Sequence, residues 1–590
     1  MKKSSILIII LLVFNFQFFA QKLVILHTND MHSKLTGFGP EASYTPLVDD
    51  DDKTLGGFAR LATVVNEEKA KNGDAVIVCD AGDFLMGTIF QSLEPESGFQ
   101  LNLMKSIGYD VITLGNHEFD FGPQNIANVI NNAIKIGGIP QIVSSELIFS
   151  DTDKRDDDLQ KLYAENYIKP YTVIERNGLK IGFFGLLGEE AQMVTQAAVP
   201  VQFKDVVKTA KSITKILRED EKVDIIICLS HSGVYADDEG VMYGEDIDLA
   251  KKVSDIDIII SGHTHVPTYK YIQQGKTIIV QTGSYLKNLG RLEINYENGT
   301  VSVTDFHLIK MNDDIKGDEK VNQAIEQYKK KVDEKFFSPY NLSYSKPVCE
   351  TNFDLVQGYF KEKKPSSIGN LITDAIRYYV DNFSTGTDIV LEAQGTIRES
   401  FLTGEITPAD IFRVTPLGFG NNDLLGYSLA KVYIYGREIK KLGELSIFAG
   451  KPGEDSYLYY NGVEFTYNPK GGFLNKVVKI ELNGKEIDFS KKNKTLYSLT
   501  ANRYLLGFVE EVKKMSHGLV KIYPKDSEGN HITNIDDFIL DFDKNKDGVQ
   551  EGKEWLAIIE FMRQFEDSDK DGLPEIPENY KTFKNPFVVK

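Results

Sequence analysis

At 590 residues the chain is longer than one hydrophobic core usually organises, so two or three domains are expected. Its 42% hydrophobic and 26% charged composition is that of an ordinary soluble globular protein. A formal net charge of −19 argues against a nucleic acid polymer as partner, because such binding rests on Lys and Arg contacts to phosphate. It does not exclude a small phosphorylated substrate, since divalent cations in a cleft reverse the local field.

Residues 1–20 read as an export signal: Lys2 and Lys3 precede an apolar stretch from Ile6 to Phe14, and Ala20 precedes Gln21 at a plausible cleavage site. That stretch is short for a spanning helix, so the expected product is periplasmic or secreted, without stable membrane insertion. The three cysteines, Cys79, Cys228 and Cys349, do not resemble a disulfide framework. Cys79 and Cys228 lie inside apolar strand-like runs, where cysteine serves as a small hydrophobe.

From Leu23 to about Leu308, apolar runs alternate with amphipathic segments such as Ala59 to Lys71, Pro123 to Ile136 and Val206 to Glu219. This alternation predicts an α/β layered fold with ligands gathered at the C-terminal ends of strands. Five runs end in candidate metal ligands: Asp30 and His32 after LVILHTNDMH, Asp83 after AVIVCDAGD, Asn116 in DVITLGNHEFDFG, His231 in DIIICLSHSG, and His263 and His265 in IDIIISGHTH. Taken singly, each would serve as a loop residue capping a strand. Together, imidazoles mixed with hard oxygens suit zinc, manganese, iron or cobalt better than calcium or magnesium. His117 follows Asn116 directly and points elsewhere if Asn116 binds metal, and Asp120 is placed to orient its ring for work on a leaving oxygen.

The strings LHTNDMH, GGFARL at Gly56, AGD at Ala81, GNHEFDFG at Gly115, SHSG at Ser230 and GHTH at Gly262 resemble the calcineurin-like metallophosphatases, specifically the 5'-nucleotidase and UDP-sugar hydrolase family. The resemblance implies a four-layered β-sandwich flanked by helices, followed by a smaller α/β substrate-binding domain. It further implies that Asp30, His32, Asp83 and His265 hold one metal, that Asp83, Asn116, His231 and His263 hold the other, and that His117 and Asp120 form the catalytic dyad.

After a charged, helical connector, the string IGNLITDAIR from Ile368 resembles the start of the family's substrate domain and brings in Asn370 and Arg377. QGTIRES from Gln394 stands where the family shows Asn-Gly-Gly-Gly-Ile-Arg, retaining Arg398 as a phosphate or ribose contact. Phe419 and Asn421 resemble the Phe-Gly-Asn motif whose ring stacks on a nucleobase. The family's Gly-Gly-Asp-Gly-aromatic string is missing: the chain reads TANRYLLGFVEEVKK from Thr500, with Tyr504 or Phe508 as possible substitutes. Ahead of the Gly-Asn-Leu motif, Lys361, Lys363 and Lys364 stand where the family tends to use arginine, and lysine lacks the bidentate fork.

The tail carries two calcium-loop patterns. The first is Asp543, Asn545, Asp547, Val549, Glu551 and Glu554; the second is Asp567, Asp569, Asp571, Leu573, Glu575 and Glu578. Trp555 to Phe565 reads as an amphipathic helix between them, while Pro574 and Pro577 disturb the second loop. The expected organisation is a signal at 1–20, a metallophosphatase domain at 21–310, a helical linker at 311–345, a substrate domain at 346–530 and an EF-hand-like tail at 531–590. The expected function is an exported dimetal phosphohydrolase cleaving nucleotide phosphate esters with a metal-activated water, with calcium at the tail. Alternatives are a 2',3'-cyclic-nucleotide phosphodiesterase or nucleotide-sugar pyrophosphatase using the same centre, or a calcium-dependent binding protein with a vestigial metal site.

Overall fold

The computed structural model describes residues 21–39, 43–357, 365–420, 424–450, 455–508, 520–542 and 550–590. The export segment, Lys361, Lys363, Lys364, Asn421 and the first-loop positions Asp543, Asn545, Asp547 and Val549 lie outside the described residues.

The apolar runs of the first half form two stacked sheets. In the seven-stranded sheet, Gln21–Thr28, Val76–Asp80, Val111–Thr113, Gln141–Val143 and Ile168–Lys169 lie side by side in parallel, and Asn288–Glu297 and Thr300–Lys310 close one edge antiparallel. In the six-stranded sheet, Leu179–Leu187, Ile225–His231, Ile258–Ser261 and Thr277–Val280 run parallel at the centre. Parallel strands covered on both faces must be apolar almost throughout, which is why these runs do not alternate with polar residues.

One face of each sheet meets the other: Leu23, Ile25, Ile77 and Val111 pack with Phe183, Ile225, Ile227 and Ile260. On the outer face of the first sheet, Val24, Leu26, Val78 and Ile112 pack with residues from helices Phe58–Asn72, Phe99–Ile107 and Gly122–Ile136. Beyond the second sheet, Ile226, Cys228 and Ile259 meet helices Val206–Glu219 and Glu245–Lys252. The layer order is helix, sheet, sheet, helix, as the resemblance implies, and all three cysteines are buried and free.

The connector is helix Glu319–Val332, started by the Asp318 carboxylate on Val321 N at 3.0 Å. Its Tyr328 hydroxyl donates to buried Glu94 at 2.8 Å, so the helix lies against the first domain. The second domain is built on helix Ser367–Phe383 and a four-stranded sheet ordered Leu429–Tyr435, Leu496–Asn502, Ile389–Ala393, Leu458–Asn461.

The tail differs from the helical module expected. Among its described residues one α-helix forms, Glu554–Met562, and it packs on helix Ser367–Phe383 with Trp555 fully buried beside Phe336, Tyr340 and Phe412. After the second loop comes a 3₁₀ turn, Glu578–Lys581, and then strand Phe587–Val589, which pairs in parallel with Val463–Gly472. Pro574 and Pro577 lack the N–H groups an exiting α-helix would need. No helix of the described residues is long and apolar enough to cross a membrane.

Candidate metal centre and substrate face

All seven candidate ligands converge between the C-terminal edges of the two sheets. His32 Nε2 lies 3.1 Å from His265 Nε2, and Asp30 Oδ1 lies 3.4 Å from the same His265 atom. His231 Nε2 is 3.0 Å from Asp83 Oδ2 and 3.2 Å from Asn116 Oδ1, which is itself 3.0 Å from His263 Nδ1. Two groups of donor atoms result, one around Asp30, His32 and His265 and one around Asp30, Asp83 and His231.

The residues present fit two divalent transition metals. The Nδ1 atoms of His32 and His231 each lie 2.8 Å from a backbone carbonyl, of Met86 and Ala81 respectively. Donation to those carbonyls fixes the rings so that Nε2 faces inward; in the metal-free chain Asp83, against burial, raises His231 to about 10, and a bound ion would take the place of its Nε2 proton. Burial, helped by the neighbouring His231, pushes His263 down to about 3 and keeps its ring neutral. Burial alone would raise the Asp83 carboxyl, yet His231 and His117 hold it well below its ordinary range, so it stays ionised.

The backbone is strained here. Asp30, His32, Asp83, His263 and His265 all have φ between 49° and 80°, the left-handed region non-glycine residues avoid. Neighbouring hydrogen bonds hold that geometry: Asp30 N donates to Gly82 O, His32 N to Asp83 O, and His263 N to Asp30 Oδ2 at 2.9 Å. Gly115 is required for space, since a Cβ there would lie 2.2 Å from Asp83 Oδ1.

His117 Nδ1 lies 2.6 Å from Asp120 Oδ2. Burial opposes its charge, but Asp120 and Asp83 together raise its affinity for a proton. Arg398 comes from the second domain, and its positive charge is felt at both His32 and His117. Phe419 is half-buried with its ring 5.6 Å from Phe121, beside the dyad.

Other expected substrate residues are placed elsewhere. Asn370 spends both ends of its amide on the Lys584 backbone, and Arg377 binds Asp388 O, Asn461 and Asp381. Both serve the second domain's internal packing. In the tail, Glu551 accepts from Lys553 Nζ at 2.9 Å and Glu554 from Asn502 Nδ2 at 2.8 Å, so both carboxyls turn inward. Glu578 pairs with Lys581 at 2.7 Å, Glu575 accepts from Ser568 N, and Leu573 N donates to Asp571. Carboxylate oxygens of Asp567, Asp569 and Asp571 remain within 4.8 Å of one another.

Sequence reasoning missed several supports. Glu118 accepts from the backbone of Asp83, Leu85 and Gly115, tying two ligand-bearing turns together. It stands inside GNHEFDFG, so its place in the string was the available signal. Asn29 bridges Asp30 Oδ2 and Thr282 N, and the Tyr285 ring packs 5.4 Å from His32 and 5.5 Å from His265. Tyr427, stacked on Tyr504 at 5.3 Å and 19°, carries no motif at all.

A two-sheet sandwich with such a donor set at its strand ends defines a metal-dependent phosphoesterase of the calcineurin-like class. Residues 23–267 match the family model described as calcineurin-like phosphoesterase, and residues 350–513 match the 5'-nucleotidase C-terminal domain. The chain therefore carries a calcineurin-like phosphoesterase domain followed by a 5'-nucleotidase C-terminal domain. The trifunctional nucleotide phosphoesterase protein YfkN of Bacillus subtilis is 26% identical over 510 residues, 82% of this chain and 32% of that protein, so this chain spans about a third of its length. A 5'-nucleotidase-related protein of Glossina morsitans morsitans is 26% identical over 498 residues, 78% of this chain and 81% of its own. In fold, the 5'-nucleotidase precursor of Thermus thermophilus matches with a TM-score of 0.70 at 20% identity, over 96% of this chain and 99% of that one.

Proposed function

We propose that this chain is an exported phosphohydrolase cleaving nucleotide phosphate esters of the 5'-nucleotidase type. The observation that carries the reading is one cluster in which seven metal donors meet beside the His117–Asp120 pair, with Arg398 of the second domain near enough for its charge to act on His32 and His117. Asp30, His32, Asp83 and His265 would hold one ion and Asp83, Asn116, His231 and His263 the other, zinc, manganese, iron or cobalt by donor chemistry. Ions held there would supply a water activated for attack and positive charge against the phosphate oxygens. The chain's own groups do the rest. Asp120 accepts a hydrogen bond from His117 Nδ1–H and favours the protonated ring, whose Nε2–H gives its proton to the leaving oxygen and leaves a neutral imidazole. Arg398 adds positive charge for the phosphate, and Phe419 offers a ring for a base.

The basic and apolar start of the chain supports export, and domain limits near residues 310, 345 and 530 complete the proposal. The Asp567, Asp569 and Asp571 oxygens support calcium in the tail. In that case calcium should raise the melting temperature of the wild type and not of the Asp567→Asn, Asp569→Asn double variant; equal shifts in both would reject the site.

Phosphate release across AMP, UDP-glucose, a 2',3'-cyclic nucleotide and a generic aryl phosphate, after chelation and return of manganese or zinc, tests the function. Turnover concentrated on AMP supports the 5'-nucleotidase reading, and preference for the second or third ester selects the pyrophosphatase or phosphodiesterase alternative. Turnover of the aryl ester alone rejects the nucleotide pocket.

A further inference from the structure

The residues that follow the matched 5'-nucleotidase C-terminal domain do more than decorate its surface. Lys553 is fully buried, and its ammonium donates to Leu424 O and Gly426 O at 3.1 Å, Ser428 Oγ at 3.0 Å and Glu551 Oε2 at 2.9 Å. Two residues on, Trp555 Nε1 donates to Leu425 O at 3.1 Å. The Trp555 ring lies against Gly426, φ 91°, where a Cβ would come within 2.7 Å of the indole. Gly552 O accepts from Leu429 N at 2.8 Å. The segment from Leu424 to Leu429 is thus bound to the tail at five atoms, and a buried ammonium with four acceptors is a strong, specific tie.

That segment pairs with Gly418 and Phe419 and bears aromatic groups. Gly426 N donates to Gly418 O, the Tyr427 ring covers Gly418, and Phe419 bridges to Leu425. Phe419 reaches across to Phe121, next to Asp120. Tyr427 stacks on Tyr504, and Tyr504 on Phe508 at 6.0 Å. Tyr427 covers Gly418 beside Phe419, and Phe419 meets Phe121 at 5.6 Å, so the stack continues from the turn that carries His117 and Asp120.

The tail holds Tyr504 too. Glu554, between the two residues just described, accepts from Asn502 Nδ2, and Asn502 Oδ1 caps the short helix Arg503–Gly507 through Leu505 N at 2.8 Å. Burial beside Glu392 raises the Glu554 carboxyl well above its ordinary range, which keeps this junction free of a second buried negative charge.

We propose that Lys553, Glu554 and Trp555 are positioning residues for substrate selectivity: through them the C-terminal tail fixes Phe419, Tyr427 and the Tyr504 helix, whose aromatic rings receive the leaving group. This rests on the phosphoesterase reading and goes beyond it, because it assigns selectivity to residues that touch neither metal nor phosphate. The leaving group it favours is an aromatic one of nucleoside size, whose base can stack on these rings.

Trp555 is the only tryptophan of the chain, so its emission reports on this junction. In the metal-loaded enzyme, a non-hydrolysable nucleoside 5'-methylenephosphonate should change that emission at the concentration where it inhibits, while inorganic phosphate should not. Inhibition with unchanged emission would count against the proposal. The companion test uses Trp555→Phe, which keeps a ring and loses the donor, and the Lys553→Met, Glu551→Gln pair, which removes both partners without stranding a charge. Expected is a rise in KM for the preferred nucleotide of about tenfold, or 1.4 kcal/mol, with kcat, metal content and turnover of glycerol phosphate held within about twofold. Equal losses on both esters, or none on either in folded variants, would overturn it; if the pair does not fold, Trp555→Phe decides. Failure of the nucleotide reading alone shows differently, as wild-type preference for another ester, on which the same variants are then scored. A wild type that prefers no ester to glycerol phosphate overturns both.

Discussion

The metal centre and the aromatic face that adjoins Phe121 are assembled by different routes. Every donor of the centre sits at, or within four residues after, the end of a sheet strand, so each is delivered by a short motif on a rigid support. The aromatic face is gathered from Phe121, Phe419, Tyr427 and Tyr504, and is braced by residues more than a hundred positions beyond Tyr427. The centre is therefore assembled locally, and the aromatic face by packing between distant segments. Damage to the first should abolish turnover, and damage to the second should change which ester is preferred.

The largest effect is expected at Asp83, whose Oδ2 lies 3.0 Å from His231 Nε2 in one donor group and 4.0 Å from His32 Nε2 in the other. Asp83→Asn should lower turnover by more than the roughly 10–100-fold that outer-shell partners of a metal cost, while circular dichroism stays that of the wild type; undiminished activity would remove the dimetal assignment. Next comes His117→Ala, for which a loss in kcat of about 10²–10⁴-fold is expected with metal content intact. Here kcat must fall with esters of poor leaving groups more than with activated aryl esters, since only the former need a proton. An equal fall on both would contradict that role.

On the other side of the comparison, Phe419→Ala should raise KM for nucleotides by roughly tenfold and leave the aryl phosphate little changed. The same rise on both would argue against base stacking. The smallest effect concerns stability alone. Burial raises the Glu94 carboxyl from 4.5 to about 7, despite Tyr328 and the Gln100 amide. The stability this group lends is fully present below about pH 4.5 and is lost as the pH rises through about 7. Glu94→Gln should abolish that decline and stabilise the chain at pH 8 by on the order of 1–3 kcal/mol, read from thermal unfolding at pH 5 and pH 8. A variant less stable than wild type at pH 8 would contradict the assignment.

The same division governs what the sequence revealed. Strand-end clusters around His32, Asp83, Asn116, His231 and His265 were legible because a parallel strand is a continuous apolar run and its loop follows at once. Helix Val206–Glu219 was legible to the residue because its apolar period is regular and Asp205 caps it. Asn370 and Arg377 were misplaced because a motif match says nothing about which way a side chain turns, and here both turn into the second domain. Glu551 and Glu554 occupy loop positions nine and twelve, yet Lys553, Asn502 and Glu392 draw them inward through contacts no local pattern encodes. Tyr427 was invisible because its significance lies in Tyr504, seventy-seven positions away.

The most direct test of the central claim is to titrate metal back into the chelated, purified chain while measuring bound metal and phosphate release from AMP together. Activity should reappear in step with two equivalents of bound transition metal in the wild type, and Asp83→Asn should show neither. Full turnover in metal-free protein, or turnover complete at one equivalent, would contradict a two-metal centre.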